Sequence, residues 1–205
     1  MPKGCNLINI AVLVSGGGTN LQAIIDACKN NIIKSGKITL VLSNNKDAFA
    51  LERAKREGIK TEVVLKKDFA CKEDFDAKLI EILKENNIDL IVLAGFMCIL
   101  SKSFTDTFAN RIINVHPSLI PAFCGEGFYG LKVHEKALEY GVKVTGATVH
   151  FVNEIPDGGK IIMQKAVNIC ESDTPSTLQK KVMEEAEWII LPKSVEQVAS
   201  DLLKR

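Results

Sequence analysis

A short apolar run, Ile8–Val14, is followed by a glycine-rich turn and then by a helical pattern from Leu21 to Cys28. Apolar runs of that length, bounded by turn residues, mark strands buried on both faces of a parallel sheet. The same alternation recurs, with Ile38–Leu42 as strand, Ala48–Arg56 as helix, Thr61–Leu65 as strand, Glu73–Glu85 as helix and Asp89–Ala94 as strand. Repeated β-α alternation with right-handed crossovers predicts an α/β fold, Rossmann-like and doubly wound, around a mostly parallel sheet.

Further along, Ile112–His116 reads as another buried strand, stopped by Pro117, and a loop rich in Pro and Gly runs on to about Gly130. Val133–Tyr140 is helical, with Gly141 suited to a left-handed C-terminal cap. Two strands then follow with no helix between them, Val144–Val152 and Ile161–Val167, joined through Pro156-Asp157-Gly158-Gly159. That connection predicts an antiparallel hairpin at one side of the sheet, near its C-terminal part. The remainder is helical, Pro175–Ile190 and Pro192–Leu203, the second helix restarting at a proline that suits a first helical turn. No repeat, linker or low-complexity stretch interrupts the pattern, and 205 residues suffice for one sizeable core, so a single domain over 1–205 is expected.

Charge narrows the partners. The formal net charge is +1, and Lys and Arg are scattered rather than gathered into a stripe that tracks a nucleic-acid backbone, which argues against nucleic acid. No apolar run approaches the roughly 20 residues that span a bilayer, and the Met1–Cys5 start lacks the apolar core of a secretory signal. No membrane partner and a cytoplasmic location are therefore expected. The six cysteines are widely spaced, with no C-x-x-C pair and no His beside any of them, which argues against zinc and against a redox dithiol. Cys28 and Cys98 read as small buried hydrophobes, and nothing near Cys124 is placed to lower its pKa.

Three segments carry candidate chemistry. Ser15-Gly16-Gly17-Gly18-Thr19-Asn20 lies between the first strand and its helix, where close backbone approach and the free N–H groups of a helix start bind phosphate. The third glycine of a dinucleotide fingerprint is replaced by Leu21, and Ser43-Asn44-Asn45 stands where a ribose-binding acid would be, so the loop reads as a monophosphate site; a turn with no ligand is the simpler alternative. In Asn114-Val115-His116-Pro117-Ser118, residues two apart share a face, so Asn114 and His116 stand together at a strand's carboxyl end, suited to holding a carbonyl oxygen as it becomes an oxyanion. Asp157-Gly158-Gly159 reads by itself as a hairpin turn; a carboxylate brought near His116 would favour its imidazolium. Thr148 and His150 share a face of their strand, where a buried histidine reads as core, and His134, at a helix start after a loop, is expected to be exposed.

At these residues the sequence resembles the glycinamide ribonucleotide transformylase family of folate-dependent formyltransferases. The likeness is carried by Val14–Ile24, Val92–Met97, Asn114–Pro121 and Gly146–Val152 with Asp157-Gly158-Gly159, over nearly the whole chain. The resemblance implies transfer of the formyl group of 10-formyltetrahydrofolate, a co-substrate, to the amine of glycinamide ribonucleotide in purine synthesis, with no metal. Catalytic roles are implied for Asn114, His116 and Asp157, phosphate contacts for Gly18, Thr19 and Asn20, and a ribose contact for Glu187. Folate is implied beside Met97, Cys98, Ile99 and Leu100, with Met97 also reaching the ribonucleotide and Lys72 near the folate's glutamate tail. A monomer or weak homodimer is expected. Relatives often carry Arg at the position of Cys98, and Ala122–Leu131 looks longer than in some members. A formyl-folate hydrolase, a methionyl-tRNA formyltransferase and a non-catalytic nucleotide-binding module are the competing readings. Relatives of the first two kinds usually carry an added domain.

Overall fold

The computed structural model describes residues 7–204. The Met1–Cys5 start, and Cys5 with it, lie outside the described residues. Seven strands form one sheet in the order β3-β2-β1-β4-β5-β6-β7. They are β1 (Ile8–Val14), β2 (Gly36–Ser43), β3 (Lys60–Val63), β4 (Leu90–Leu93), β5 (Ile112–His116), β6 (Val144–Phe151) and β7 (Ile161–Asn168). The first five pair in parallel, while β6 runs antiparallel to β5 and β7 antiparallel to β6, which is the mostly parallel sheet with a terminal hairpin that the sequence predicts.

The two-residue period of each strand divides the core. Ile8, Ile10, Val12 and Val14 of β1 face one side, with Leu90 and Val92 of β4, Ile113 and Val115 of β5, and Ala147 and Val149 of β6. Against them pack α1 (Thr19–Lys29), α2 (Phe49–Arg56), α6 (Pro175–Val182) and α7 (Trp188–Leu203). Ala11, Leu13, Leu40, Leu42, Ile91 and Ile112 face the other side, beneath Phe75, Leu79 and Leu83 of α3 (Lys72–Glu85) and Phe104 of α4 (Lys102–Thr107). On that second face β5 and β6 turn polar: Asn114 and His116 stand opposite His150 and Thr148 in the pairing register. A row of hydrogen-bonding side chains thus continues an apolar face, at the end of the sheet where the parallel order reverses. Such a crevice beyond the carboxyl ends of strands is the usual place for a ligand in an open α/β sheet.

Three expectations need correction. The C-terminal segment does not restart at Pro192; α6 passes through a π turn, Met183–Glu187, into α7, which carries Pro192 inside it. The bond Pro192 cannot make is the one to the Trp188 carbonyl, next to the widened turn where the helix has already changed register. His134 is buried, at 1% exposure: it lies inside α5 (Leu131–Tyr140), on the buried stripe with Val133 and Ala137. Cys28 and Cys98 are half-buried rather than part of the core. Helix α4 lacks a strong apolar period and was not expected; Ser101 caps it, its Oγ accepting from the Phe104 N–H at 3.3 Å. Ile120–Pro121 is a cis peptide. Among the described residues no helix is long and apolar enough to cross a membrane.

Candidate functional site

The glycine-rich loop leads from β1 into α1. Gly18 has φ +72°, and a Cβ there would lie 2.6 Å from that of Ala50, so only glycine fits both the turn and the approach of α2. Cross-links fix the loop: the Ala50 N–H donates to the Gly16 carbonyl at 3.1 Å, and Arg53 Nε to the Gly17 carbonyl at 2.9 Å. Asn20, in the first turn of α1, donates through Nδ2 to Glu187 Oε2 at 2.6 Å, which unites two residues far apart in sequence. Burial pushes Glu187 up to about 7 against the opposing pull of Asn20, so this carboxyl titrates near neutrality.

The loops after β1 and β4 are tied together, since the Met97 N–H donates to Ser15 Oγ at 2.8 Å. From there a cavity of about 720 Å³ opens over the carboxyl ends of β4 and β5. Met97, Cys98, Ile99 and Leu100 line one side, Asn114, His116 and His150 the floor, and Gly125–Gly130 with Asn153–Asp157 most of the rest. Its size and largely apolar lining with a few convergent polar groups suit a flat organic ligand. Lys72 opens α3, half-buried, and is not part of this lining. Among the described residues no cluster of three His, Cys, Asp or Glu side chains is arranged to hold a metal ion.

Asp157 reaches the floor because its turn is tight. It has φ 55°, a left-handed conformation that Asp tolerates. A Cβ on Gly159 would run into the Phe151 carbonyl, and one on Gly158 into the Ile155 side chain at 2.7 Å, so both glycines are needed to fold the turn back. Asp157 Oδ2 then accepts from the Gly125 N–H at 2.9 Å and stands 3.4 Å from His116 Nδ1. Burial by itself would raise the Asp157 carboxyl, yet His150 and His116, when they carry a proton toward it, and the Gly125 N–H hold it below the usual carboxylate range. Two groups that sequence reasoning did not place here complete the arrangement. One is the Phe123 carbonyl, 2.9 Å from His116 Nε2; the other is His150, read from sequence as a core residue. The antiparallel pairing of β5 with β6 was the signal for His150, since it sets Asn114 opposite that residue.

These contacts assign the protons of His116. The Phe123 carbonyl only accepts, so Nε2 carries a proton, and in the neutral ring Nδ1 is a bare lone pair facing Asp157. The expectation that Asp157 keeps the ring charged is modified: burial dominates and holds His116 below the ordinary histidine range, while Asp157 and Phe123 pull the other way. The site is thus a neutral imidazole beside a carboxylate, short of one proton and shaped to receive it. At 3.4 Å the Nδ1–Oδ2 gap is wider than a good hydrogen bond, so Asp157 does not firmly hold a proton on Nδ1. Cys124, at the edge of this site, has its thiol raised by burial and by Asp157, which keeps it unreactive.

Behind the floor, His134 is pushed down to about 4 by burial and by its proximity to His116, and both ring nitrogens lack partners. A histidine whose folded pKa lies below its unfolded value of about 6.5 contributes stability above about pH 6.5, and loses it as pH falls toward the folded value. The difference corresponds to about 3 kcal/mol. Unfolding free energy should therefore fall between about pH 6.5 and 4 more steeply in wild type than in His134→Leu, by about 3 kcal/mol over that window. Parallel pH dependences of the two denaturation midpoints would show that His134 is solvated.

Residues 8–195 match the family described as formyl transferase. The chain is 43% identical over 197 residues to phosphoribosylglycinamide formyltransferase of Escherichia coli (strain K12), spanning 96% of this chain and 90% of that one. To the trifunctional purine biosynthetic protein adenosine-3 of Homo sapiens it is 44% identical over 191 residues, 93% of this chain and 18% of that longer protein. The crystal structure of glycinamide ribonucleotide transformylase 1 from Symbiobacterium toebii superposes with a TM-score of 0.90 at 42% identity, over 97% of this chain and 90% of that one.

Proposed function

Since the chain belongs to the formyl transferase family, within its phosphoribosylglycinamide formyltransferase branch, we propose that it transfers the formyl group of 10-formyltetrahydrofolate to the amine of glycinamide ribonucleotide. The observation that carries the residue roles is the meeting of Asn114, His116 and Asp157 on the floor of a cavity whose wall is Met97–Leu100. The apolar wall suits the folate ring. The loop at Gly18–Asn20, with Glu187 beside Asn20, suits the phosphate and ribose of the acceptor.

In this reading the neutral amine attacks the formyl carbon, the amine nitrogen becomes positive and the formyl oxygen negative. Asn114 donates an N–H to that oxygen. The Nδ1 side of His116 takes up the amine's proton, and the resulting imidazolium, steadied by Asp157, becomes the second donor. Collapse returns that proton to the departing folate nitrogen, so the products are the formylated amine and tetrahydrofolate. The lowered proton affinity of resting His116 fits a base that must be empty before attack. No covalent enzyme intermediate enters.

The test is to mix purified protein with 10-formyltetrahydrofolate and follow the formyl-folate with and without glycinamide ribonucleotide. Loss only when the ribonucleotide is present is the expected result. Loss without it identifies a hydrolase, and none in either case, in folded protein that still binds a phosphate ligand, identifies a binding module.

A further inference from the structure

His150 lies at a seam of the sheet. It pairs with Asn114 across the β5–β6 ladder, while the β6–β7 register slips between Val149 and His150, so that Val149 faces Met163 and His150 faces Ile161. A bulge there raises the local twist and re-aims the side chain beside it. His150 is 1% exposed, so its ring must find its partners within the protein. Nδ1 lies 2.8 Å from the carbonyl of Phe151, which can only accept, and so Nδ1 carries the proton of the neutral ring. Nε2 is then an acceptor, and Asn114 Nδ2 donates to it at 3.2 Å. Asp157 Oδ1 stands 3.5 Å from both Nε2 and Asn114 Nδ2.

This arrangement fixes which way the Asn114 amide faces. The outer torsion of an asparagine is broad, so the side chain alone does not choose between nitrogen and oxygen. With the amide reversed, Asn114 Oδ1 would meet the Nε2 lone pair and the Asp157 carboxylate, two acceptors against a third. In the observed orientation one N–H is spent on His150, and Asp157 Oδ1, an acceptor at 3.5 Å, is too far away to hold the other firmly, which leaves it for the cavity. We propose that His150, resting on the reaction assigned above, is a positioning residue: the Phe151 carbonyl sets its tautomer, and its Nε2 holds the Asn114 amide with a free N–H turned toward the formyl oxygen. Its ring lines the cavity but is only 1% exposed, and it acts through Asn114.

The orientation can be read directly and by kinetics. Nitrogen-15 NMR of the imidazoles in the wild-type protein at neutral pH should show His150 as the Nδ1–H form; an Nε2–H form overturns the proposal whatever the activity. His150→Phe should lower kcat about 10- to 100-fold, the scale on which a misplaced catalytic group costs rate, with KM for both substrates within about twofold. His150→Gln, whose side-chain oxygen can accept from Asn114, should recover part of the loss and serves alone if the phenylalanine variant does not fold. On an Asn114→Ala background the same His150 change should cost less than about twofold, because its partner is already gone. Full kcat in the His150 variant, or an equal loss in both backgrounds, overturns the proposal. Absence of turnover in wild type removes the assigned reaction and this role with it, whereas wild-type turnover with an unimpaired His150 variant removes this role alone.

Discussion

Asn114→Ala and His116→Ala are each expected to lower kcat at least about a hundredfold, the usual consequence of removing one donor to a developing oxyanion. The structure makes the two losses different in kind. In the proposed reading Asn114 contributes one N–H to the cavity while His150 holds the other, so its removal should lower kcat across the whole pH range. His116 contributes a proton site whose affinity burial has reduced, so His116→Ala should also abolish the limb of the pH profile that reports the empty base. Steady-state kinetics from about pH 5 to 9 separates the two effects. Retention of full rate by either variant removes that residue from the mechanism.

Asp157→Asn is the second large effect, and the substitution is well suited to the position. Asn accepts the left-handed backbone that Asp157 adopts, so the turn should survive while the charge is lost. A unit charge about 4 Å from another is worth on the order of 4 kcal/mol at an effective dielectric of about 20. Partial screening in a half-open cavity still leaves an expected fall in kcat of at least about a hundredfold at neutral pH. The sign of the accompanying pH shift follows from linkage. Asp157 raises the proton affinity of His116 against burial, so its loss leaves burial unopposed and moves the His116 limb to lower pH. Wild-type kinetics in this variant would leave Asp157 as a turn residue only.

Much of the scaffold was legible because it is written in local periods. The apolar runs gave the strands, Pro156–Gly159 gave the hairpin, and the two-residue spacing put Asn114 and His116 on one face. The roles expected of Asp157 and Glu187 came from resemblance alone, since their placement depends on which elements become neighbours: Asp157 on the fold-back of its turn, Glu187 on the packing of the last helices against α1. His150 was visible as a buried position, yet only the strand pairing tells a core histidine from one that faces an amide. His134 was misjudged because it sits within α5 on the same buried stripe as Val133 and Ala137, not at the edge of a loop. The balance of burial against Asp157 at His116 was not legible in the sequence, because desolvation is a property of everything packed around the ring.

The π turn at Met183–Glu187 bears on how the tail of the chain is shared out. One extra residue in a turn advances everything after it by about 100°. From Pro175 to Leu203 the chain is therefore one rod in two rotational settings: the first presents Leu178 and Val182, the second Ile190, Leu191, Val195 and Val198, and the helix contacts pass from α5 to α1. Glu187 occupies the joint between the settings. Shortening that joint by a single residue would leave composition and helix propensity almost untouched, yet would swing the two stripes into one phase and carry the carboxylate off Asn20. The spacing between the amide and its acid partner is thus kept by a count of residues that no side chain enforces.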